Sequence, residues 1–493
     1  MKRLIVGCLS LVKRIIMFGV NLLRNTYYRL TVKHVKYNVE EIFMQQNSSK
    51  GYNRLDTVVR YLAVEEYYGK NDYGFRLYEK MQGKRIDKEY VAGSVERFRS
   101  LIESWDKNGY TDASEISLDS NLFLIDGSHR MALALYHGIK DISCKVYGNK
   151  TSTEYGVSWF VQNDFTLEEI KIIQNKCDEL LAKHKQSISV ILWPPVQNYF
   201  EEITEKIRVL YQVGDVQDFQ YTDETFKRIV KGIYYIDDIA DWKINKKIEY
   251  MSGFEPKKVR VMQLYLDCPG FRRKASNQNT LSREGEKIKS IIRKCYAEKI
   301  DNYFYDIIIH TGDNYKQSEF INQLFKAEIP LSGFFDLIQN NTWMLIKSEN
   351  EYTPENFPEE FPFSKDADMI CAEAEFEKLK ETAYSFFEAN IKAIYRLRKI
   401  EEKKRVKIRI EQEGFLIYQI DLACEVDGLK QKFVEESLGR RKKVKNYYIT
   451  DEVDEVYYRM NEYNHYPEKK RHLDYVEKHR DLYDEEKMKQ IQI

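Results

Sequence analysis

The chain has 493 residues, which exceeds the size of one ordinary hydrophobic core and predicts about three domains. Lysine plus arginine and aspartate plus glutamate each number 78, so no net charge draws the protein onto nucleic acid. The seven cysteines are scattered and form no CxxC pair, which argues against a zinc ribbon and a disulfide framework and is typical of a reducing, cytoplasmic compartment. We therefore expect a globular protein for which nucleic acid is not a partner.

The first segment, residues 1–30, is predicted to form an amphipathic basic helix. Residues 1–24 are strongly apolar, but Lys13 and Arg14 interrupt the run, and a membrane span needs about 20 apolar residues. No small-residue cleavage site follows, which argues against a signal peptide. The pattern favours peripheral attachment to the anionic inner face of the cell membrane, and a helix packed on the protein's own body is the alternative.

Residues 50–160 are predicted to form the next domain. Apolar and charged positions recur at helical spacing in Val58–Tyr67 and in Val95–Trp105. A unit of strand, turn, helix and strand follows, and its parts are the apolar run Asn121–Ile125, a turn at 126–128, the helical stretch Met131–Tyr136 and the alternating strand Ile142–Tyr147.

The turn in this unit, Asp126 to Arg130, has the composition of an anion site. A helix that begins at a tight glycine turn directs unpaired backbone N–H groups and the positive end of its dipole outward. Gly127 permits close approach, Ser128 can donate a hydroxyl hydrogen bond, and His129 and Arg130 can add charge-assisted bonds to phosphate oxygens. The sequence therefore predicts phosphate binding here.

This turn resembles the ParB/sulfiredoxin superfamily, in which a G-x-H-R turn holds nucleotide phosphates, and the resemblance covers residues 55–150. Sulfiredoxins need a cysteine where this chain has Ser128, and no helix-turn-helix of the partition-protein type follows, so the resemblance implies the kinase branch. A kinase needs a carboxylate base, and Glu65 or Glu66 is the candidate, acting with His129. The candidates for binding its substrate share one helical face: Tyr78, Gln82 and Arg85.

A connecting helix at 166–186 leads into a third predicted domain, residues 188–330, an α/β layer of unknown role. Its predicted elements are a strand at Val259–Leu266, an exposed basic loop at Arg272–Lys274, a helix at Glu284–Glu298 and a strand at Tyr305–His310. His310 ends a strand before a helix, which is the usual place for a ligand in such a layer, and a structural histidine is the alternative.

Residues 335–493 form the last predicted domain, which ends in a charged helical tail. After a proline-rich loop at Thr353–Phe363, the predicted elements are a strand at Ala367–Ile370, a helix at Ala374–Asn390 and strands at Val406–Gln412 and Phe415–Leu422. Together the predicted elements give a multidomain α+β or α/β fold.

Three aspartates lie within these apolar strands. Asp366 and Asp368 are two residues apart, so a strand directs both carboxylates to one face, and Asp421 is near the end of a later strand. Like charges so close together are costly unless a cation lies between them. An all-oxygen ligand set is typical of Mg²⁺ or Mn²⁺, and a second metal could help to orient the reactants. We therefore predict a metal site at these three residues.

The spacing of these acids resembles the nucleotidyltransferase superfamily, in which a D-h-D strand is followed by a strand carrying one more acid. The resemblance covers residues 342–423 and implies that Asp366, Asp368 and Asp421 are catalytic metal ligands with a nucleoside triphosphate as substrate. The family's Gly-Ser turn before the first aspartate has no clean counterpart. The nearest candidates for nucleotide binding are Lys347 and Ser348. Two further candidates for the same pocket are Arg409 and Glu411. The tail with His472 and His479 resembles helical tails that close such sites, and a solvated basic helix is the alternative.

The combination of these domains resembles bacterial surface-polysaccharide biosynthesis proteins of the capsule or teichoic-acid type. That resemblance implies a transferase that phosphorylates or nucleotidylates a small hydroxylated acceptor with Mg-NTP. The alternative is a nucleotide-binding regulatory or DNA-partition-like module without transferase turnover. Membrane contact through residues 1–24 is the other predicted interaction.

Overall fold

The computed structural model describes residues 32–47, 51–113, 115–237, 239–274, 279–303, 306–348 and 352–493. The predicted amphipathic segment at 1–24 lies outside these residues. The chain forms two compact units, one from residues up to 218 with 259–319 and the other from 219–258 with 320–493. Mixed helices and sheets confirm the general α+β class. No helix in the described ranges is long and apolar enough to cross a membrane.

This division differs from the predicted domain boundaries. The predicted domains at 50–160 and 188–330 fall largely within one unit, while 219–258 and 320–330 belong to the other. The reason is that the chain leaves the first unit after residue 218 and returns to it at 259. A contiguous sequence interval cannot represent such an excursion.

The first unit begins with a four-stranded sheet in the order β1-β4-β2-β3, with helices between the strands. Its elements are β1 (Lys33–Asn38), α1 (Val39–Asn47), α2 (Leu55–Tyr67), α3 (Gly74–Gln82), α4 (Val91–Asn108), β2 (Ile116–Asp119), β3 (Leu124–Asp126), α5 (Ser128–Tyr136), β4 (Asp141–Tyr147), α6 (Val157–Gln162) and α7 (Leu167–Lys183). Strands β2 and β4 run parallel, and the other pairs are antiparallel. The two predicted helices and the strand predicted at Ile142–Tyr147 are confirmed. The strand predicted at Asn121–Ile125 is shorter and displaced, at Leu124–Asp126, and the helix predicted from Met131 begins at Ser128, so the turn is narrower than expected. Helix α7 begins with the capping box formed by Thr166 and Glu169.

A second four-stranded sheet has the order β10-β5-β7-β6. The elements that follow α7 are β5 (Ser187–Leu192), α8 (Phe200–Arg208), β6 (Gln212–Tyr221), α9 (Asp223–Tyr235), α10 (Asp241–Ser252), β7 (Lys257–Tyr265), β8 (Phe271–Arg273), β9 (Thr280–Ser282), α11 (Arg283–Tyr296), β10 (Ile309–Thr311) and α12 (Tyr315–Phe325). The loop prediction at Arg272–Lys274 is wrong in part, because Phe271–Arg273 pairs with β9. The strand predicted at Tyr305–His310 is only three residues long and includes Thr311.

The second unit contains a seven-stranded sheet in the order β13-β14-β15-β12-β11-β17-β16. The elements after α12 are α13 (Leu331–Ile338), β11 (Trp343–Ile346), β12 (Lys365–Cys371), α14 (Phe376–Asn390), β13 (Arg396–Glu402), β14 (Arg405–Gln412), β15 (Phe415–Ala423), α15 (Gln431–Arg440), β16 (Lys442–Lys443), β17 (Tyr448–Ile449), α16 (Glu452–His465), α17 (Arg471–Lys478) and α18 (Glu485–Ile491).

Both faces of this sheet are covered, which explains why its strand β11 is apolar throughout. Trp343 and Leu345 of β11 pack into one core, while Met344 and Ile346 pack into another that includes Phe433. The alternation follows from the period of two along a strand. The acids are exceptions on two central strands: Asp366 and Asp368 lie within β12 and Asp421 lies within β15, and all three are partly exposed.

A buried glutamate predicts an unusual pH dependence of stability in the first unit. The Glu41 carboxylate accepts the Tyr315 N–H at 2.9 Å and the Thr280 hydroxyl at 2.6 Å, and burial raises its pKa to about 7. The unfolded carboxyl ionises near 4.5, so the folded state holds the extra proton between these values. Stability should therefore fall by about 3 kcal/mol as pH rises through this window.

Glu41→Gln should remove this pH dependence because the amide is neutral at every pH and has nearly the shape of the protonated acid. Urea unfolding at about pH 5 and about pH 8 measures the change for both proteins. Parallel losses of unfolding free energy in wild type and variant would show that Glu41 is not the cause.

Candidate functional sites

The three aspartates of the second unit meet because β12 and β15 are parallel neighbours. Asp368 lies directly opposite Asp421, and Asp366 lies opposite Gln419. Asp366 and Asp368 share a face since they are two residues apart. One carboxylate oxygen from each of the three aspartates lies within 4.8 Å of the others. The structure therefore brings the predicted acid cluster together.

Lys347 lies beside this cluster at the end of β11. Ile346 pairs with Asp368 across the antiparallel strands, which places the next residue against the acids. The Lys347 Nζ lies 2.8 Å from Asp368 Oδ2 and 3.1 Å from Glu462 Oε2. Its φ of 56° is in the left-handed region, which is unfavourable for a residue with a side chain. The surrounding contacts must hold this conformation.

Helix α16 supplies those contacts. Glu455 accepts the Lys347 backbone N–H at 3.0 Å and is paired with Arg459 at 2.7 Å. One face of the same helix carries Glu462, seven residues later, which is also paired with Lys469 at 2.6 Å. The sequence analysis did not identify these residues. The only available signal was the seven-residue spacing of the two glutamates, and it did not indicate which strand they contact.

The protonation equilibria of the site reflect crowded charge. Burial and then Asp368 raise the pKa of Asp421 to about 6, and the same two causes raise the pKa of Asp366. Burial opposes the charge of Lys347, but Asp368 and Glu462 outweigh it and raise the pKa of Lys347 to about 12. Burial also opposes the charge of Glu462, yet Lys347 and Lys469 hold its pKa at about 2. Lys347 and Lys469 therefore compensate only part of the negative charge of the acids on β12 and β15.

The cluster forms one side of a cavity of about 250 Å³. Cationic side chains also line it: Lys347, Arg405, Lys407, Lys469 and Arg471. Lys407 Nζ lies 3.7 Å from Asp421, and Arg471 donates a hydrogen bond to the Tyr352 hydroxyl. Carboxylates beside a basic wall suit a divalent cation together with an anionic phosphate ligand.

Of the other residues that the sequence predicted for this site, only His472 lines the cavity. Ser348 is not among the described residues that line the cavity. Arg409 and Glu411 pair with each other at 3.2 Å and do not line it either. His472 of α17 lines the cavity, and burial lowers its pKa to about 4, so it is neutral near pH 7. His479 stacks on Tyr475 instead.

In the first unit, the predicted phosphate turn has the expected backbone. Gly127 has a φ of 97° and precedes α5, and its N–H is accepted by the exposed Asp126 side chain at 2.7 Å. The side chains, however, contact other parts of the protein. Ser128 Oγ donates to Asp56 at 3.1 Å, and Arg130 donates to the Glu115 carbonyl.

His129 also faces inward. Its Nε2 lies 2.8 Å from the Tyr78 hydroxyl, which accepts a hydrogen bond from Gln82 at 3.0 Å. Burial, and then Arg60 and Arg85, lower the pKa of His129 well below its usual value. The imidazole is therefore neutral near pH 7, and the expected charge-assisted bond from His129 to phosphate is not available from this state.

The predicted base candidates lie on α2 with partners of their own. Glu65 is paired with Lys176 of α7 at 3.1 Å. Glu66 accepts the Phe75 N–H at 2.6 Å. No hydrogen bond or ion pair joins either carboxylate to the turn within the described ranges. The structure thus brings together Tyr78, Gln82 and His129 but leaves Glu65 in a separate ion pair.

Substitution of Gly127 by alanine should destabilise the protein by about 2–4 kcal/mol. A Cβ at this position would lie 2.7 Å from Ile116 Cγ2, and the positive φ adds strain. Gly138→Ala is a matched control, because its φ is 68° and nothing lies within 4 Å of its Cβ. The control should lose only about 1–2 kcal/mol. If denaturant unfolding showed the same loss of unfolding free energy in both variants, the contact with Ile116 would not be the cause.

No protein-family model and no curated protein sequence matches the chain. Solved structures similar to part of it include two nucleoside diphosphate kinases. Nucleoside diphosphate kinase from Aquifex aeolicus is 14% identical over 28% of this chain and 94% of that chain, with a TM-score of 0.21. The enzyme from Borrelia burgdorferi with bound vanadate and ADP is 14% identical over 27% and 82%, with a TM-score of 0.18. Scores this low support no argument about fold or function.

Proposed function

We propose that the second unit transfers a nucleotidyl or phosphoryl group from a nucleoside triphosphate to a small hydroxylated acceptor, with Mg²⁺ or Mn²⁺ as the metal. The observation that supports this proposal is the meeting of Asp366, Asp368 and Asp421 beside a cavity with a basic wall. Three carboxylates in partly buried positions are costly without a compensating cation. Their oxygen atoms are the ligand type that these hard cations prefer.

The same three aspartates would hold the metal. A bound metal of this kind stabilises the negative charge that develops on the transferring phosphate. The chain's own cations have a complementary role, because Lys407 and Lys469 would bind phosphate oxygens at the cavity wall. His472 remains neutral near pH 7 and adds no charge to this wall.

The first unit is, in this proposal, a phosphate-binding module. Its glycine turn presents the N-terminus of α5, whereas Ser128, His129 and Arg130 contact protein groups. These contacts favour binding over catalysis in this unit. Because the combination of domains resembles surface-polysaccharide biosynthesis proteins, we propose that the transferred group goes to an acceptor of that biosynthesis.

Product analysis by phosphorus NMR and mass spectrometry tests the proposal. The purified chain is incubated with Mg²⁺, each ribonucleoside triphosphate and a pool of alditols and sugars. We expect a phosphorylated or nucleotide-linked acceptor, which disappears in Asp366→Asn and persists in His129→Ala. Loss of product in His129→Ala alone would assign the chemistry to the first unit. If no nucleotide is consumed under any pairing, the transferase proposal fails and the binding-module alternative replaces it.

A further inference from the structure

Lys347 has the position of a cation within the acid cluster and not that of a surface side chain. Its ammonium contacts Asp368 at 2.8 Å and Glu462 at 3.1 Å, and its side chain is only 16% exposed. An ammonium group and a bound metal ion compensate carboxylates in the same way, by placing positive charge between them. Lys347 therefore already provides one cation to this site.

The surrounding structure fixes this lysine. Its backbone N–H donates to Glu455, which is buried and paired with Arg459 at 2.7 Å. The left-handed φ of 56° is maintained against its intrinsic cost, and such strain persists only where neighbouring contacts determine the conformation. Asp368 and Glu462 restrain the other end of the side chain. Contacts of both its backbone N–H and its ammonium group therefore fix the position of Lys347.

The local charge balance indicates how many metal ions this arrangement accepts. The count covers the clustered carboxylates of Asp366, Asp368 and Asp421, the carboxylate of Glu462, and the ammonium groups that pair with these acids, those of Lys347, Lys407 and Lys469. Four negative and three positive charges leave one net negative charge. One divalent ion would turn this into one net positive charge, which suits a phosphate ligand. Two divalent ions would leave three uncompensated positive charges in a partly buried site, which is unfavourable.

We infer that Lys347 occupies the second cation position of the site, so that the proposed transferase uses one divalent metal ion and a lysine in place of a metal pair. This inference rests on the proposed function. An ammonium has three N–H donors, and Asp368 and Glu462 use two of them. The third is available to an oxygen of the transferring phosphate. Lys347 therefore assists the reaction by direct contact with the substrate.

The number of Mn²⁺ ions bound per full-length chain tests this inference. Wild type should bind one Mn²⁺ that Asp366→Asn does not bind. Lys347→Gly should bind two, and their proximity should give the electron paramagnetic resonance spectrum of a magnetically coupled pair. Glycine suits the positive φ, so this variant should fold. Lys347→Gln provides a second variant that removes the charge and keeps the side-chain stem.

Lys407→Ala is the control, because it removes one positive charge near the cluster, 3.7 Å from Asp421 and 35% exposed, but leaves the Lys347 ammonium in its position between Asp368 and Glu462. It should still bind one ion. Two ions in wild type, or one ion in both Lys347 variants, would overturn the inference while leaving the transferase proposal intact. No difference between wild type and Asp366→Asn would instead overturn the metal site itself, and the inference with it.

Discussion

Replacing Asp366 by asparagine should lower nucleotide turnover by about a thousandfold or more while the fold is retained. The amide is nearly the same size as the carboxylate but has no charge, so it is a poor ligand for a hard cation. Asp366 is partly exposed on β12, and its carboxyl already has a raised pKa because burial and Asp368 disfavour its charge. Removing that charge should therefore not cost folding stability. Steady-state turnover and circular dichroism measure the two effects separately.

Asp336→Asn provides the matched control for this experiment. Asp336 is an exposed aspartate of the same unit, lies on α13 and accepts a hydrogen bond from Asn446 at 2.9 Å. It does not line the cavity. Nucleotide turnover by the Asp336→Asn variant should remain within about twofold of the wild-type rate, as expected for a surface substitution away from the site. Full turnover in Asp366→Asn would remove this residue from the mechanism.

Asp56→Asn should destabilise the first unit by about 3–5 kcal/mol, the largest stability effect that we expect. The Asp56 side chain is fully buried and forms ion pairs with Arg54 at 2.8 Å and Arg60 at 3.0 Å. Burial opposes the charge of Asp56, but the two arginines outweigh it and lower its pKa. Removing the carboxylate leaves two buried guanidinium groups without their anion. Breaking a buried pair from one side is costly for this reason.

The control for this loss is Asp164→Asn in the same unit. Asp164 pairs with Lys84 at 2.5 Å, but its side chain is 80% exposed, so water screens the interaction. Its replacement should change the unfolding free energy far less than Asp56→Asn does. Denaturant unfolding compares the two variants. A loss in Asp56→Asn as small as in the control would show that the buried network contributes little to stability.

Local sequence patterns were sufficient to predict several elements of the fold. The connecting helix predicted at 166–186 is observed as α7, which begins directly after Thr166. The helical stretch predicted at Met131–Tyr136 is observed as α5, which begins three residues earlier, at Ser128. The two-residue spacing of Asp366 and Asp368 correctly put both on one face of β12. These features depend on interactions between residues close in sequence, which periodicity and capping rules describe.

Features that depend on strand order and distant contacts could not be predicted. Strand β13, Arg396–Glu402, was missed because it is a charged, largely exposed edge strand without an apolar alternation. The role of Glu462 was also missed, since its contact with Lys347 joins residues 115 positions apart. Glu65 was placed correctly on a helix, but its partner Lys176 is 111 positions away. Such pairings arise only from the tertiary arrangement.

The central claim is that Asp366, Asp368 and Asp421 bind a catalytic divalent cation. Anomalous X-ray diffraction from crystals of the full chain grown with Mn²⁺ and a non-hydrolysable nucleoside triphosphate analogue tests it most directly. We expect an anomalous peak about 2.0–2.3 Å from carboxylate oxygens of these residues, in contact with the analogue's phosphates. An analogue bound in this cavity without any Mn²⁺ peak at the three aspartates would contradict the claim.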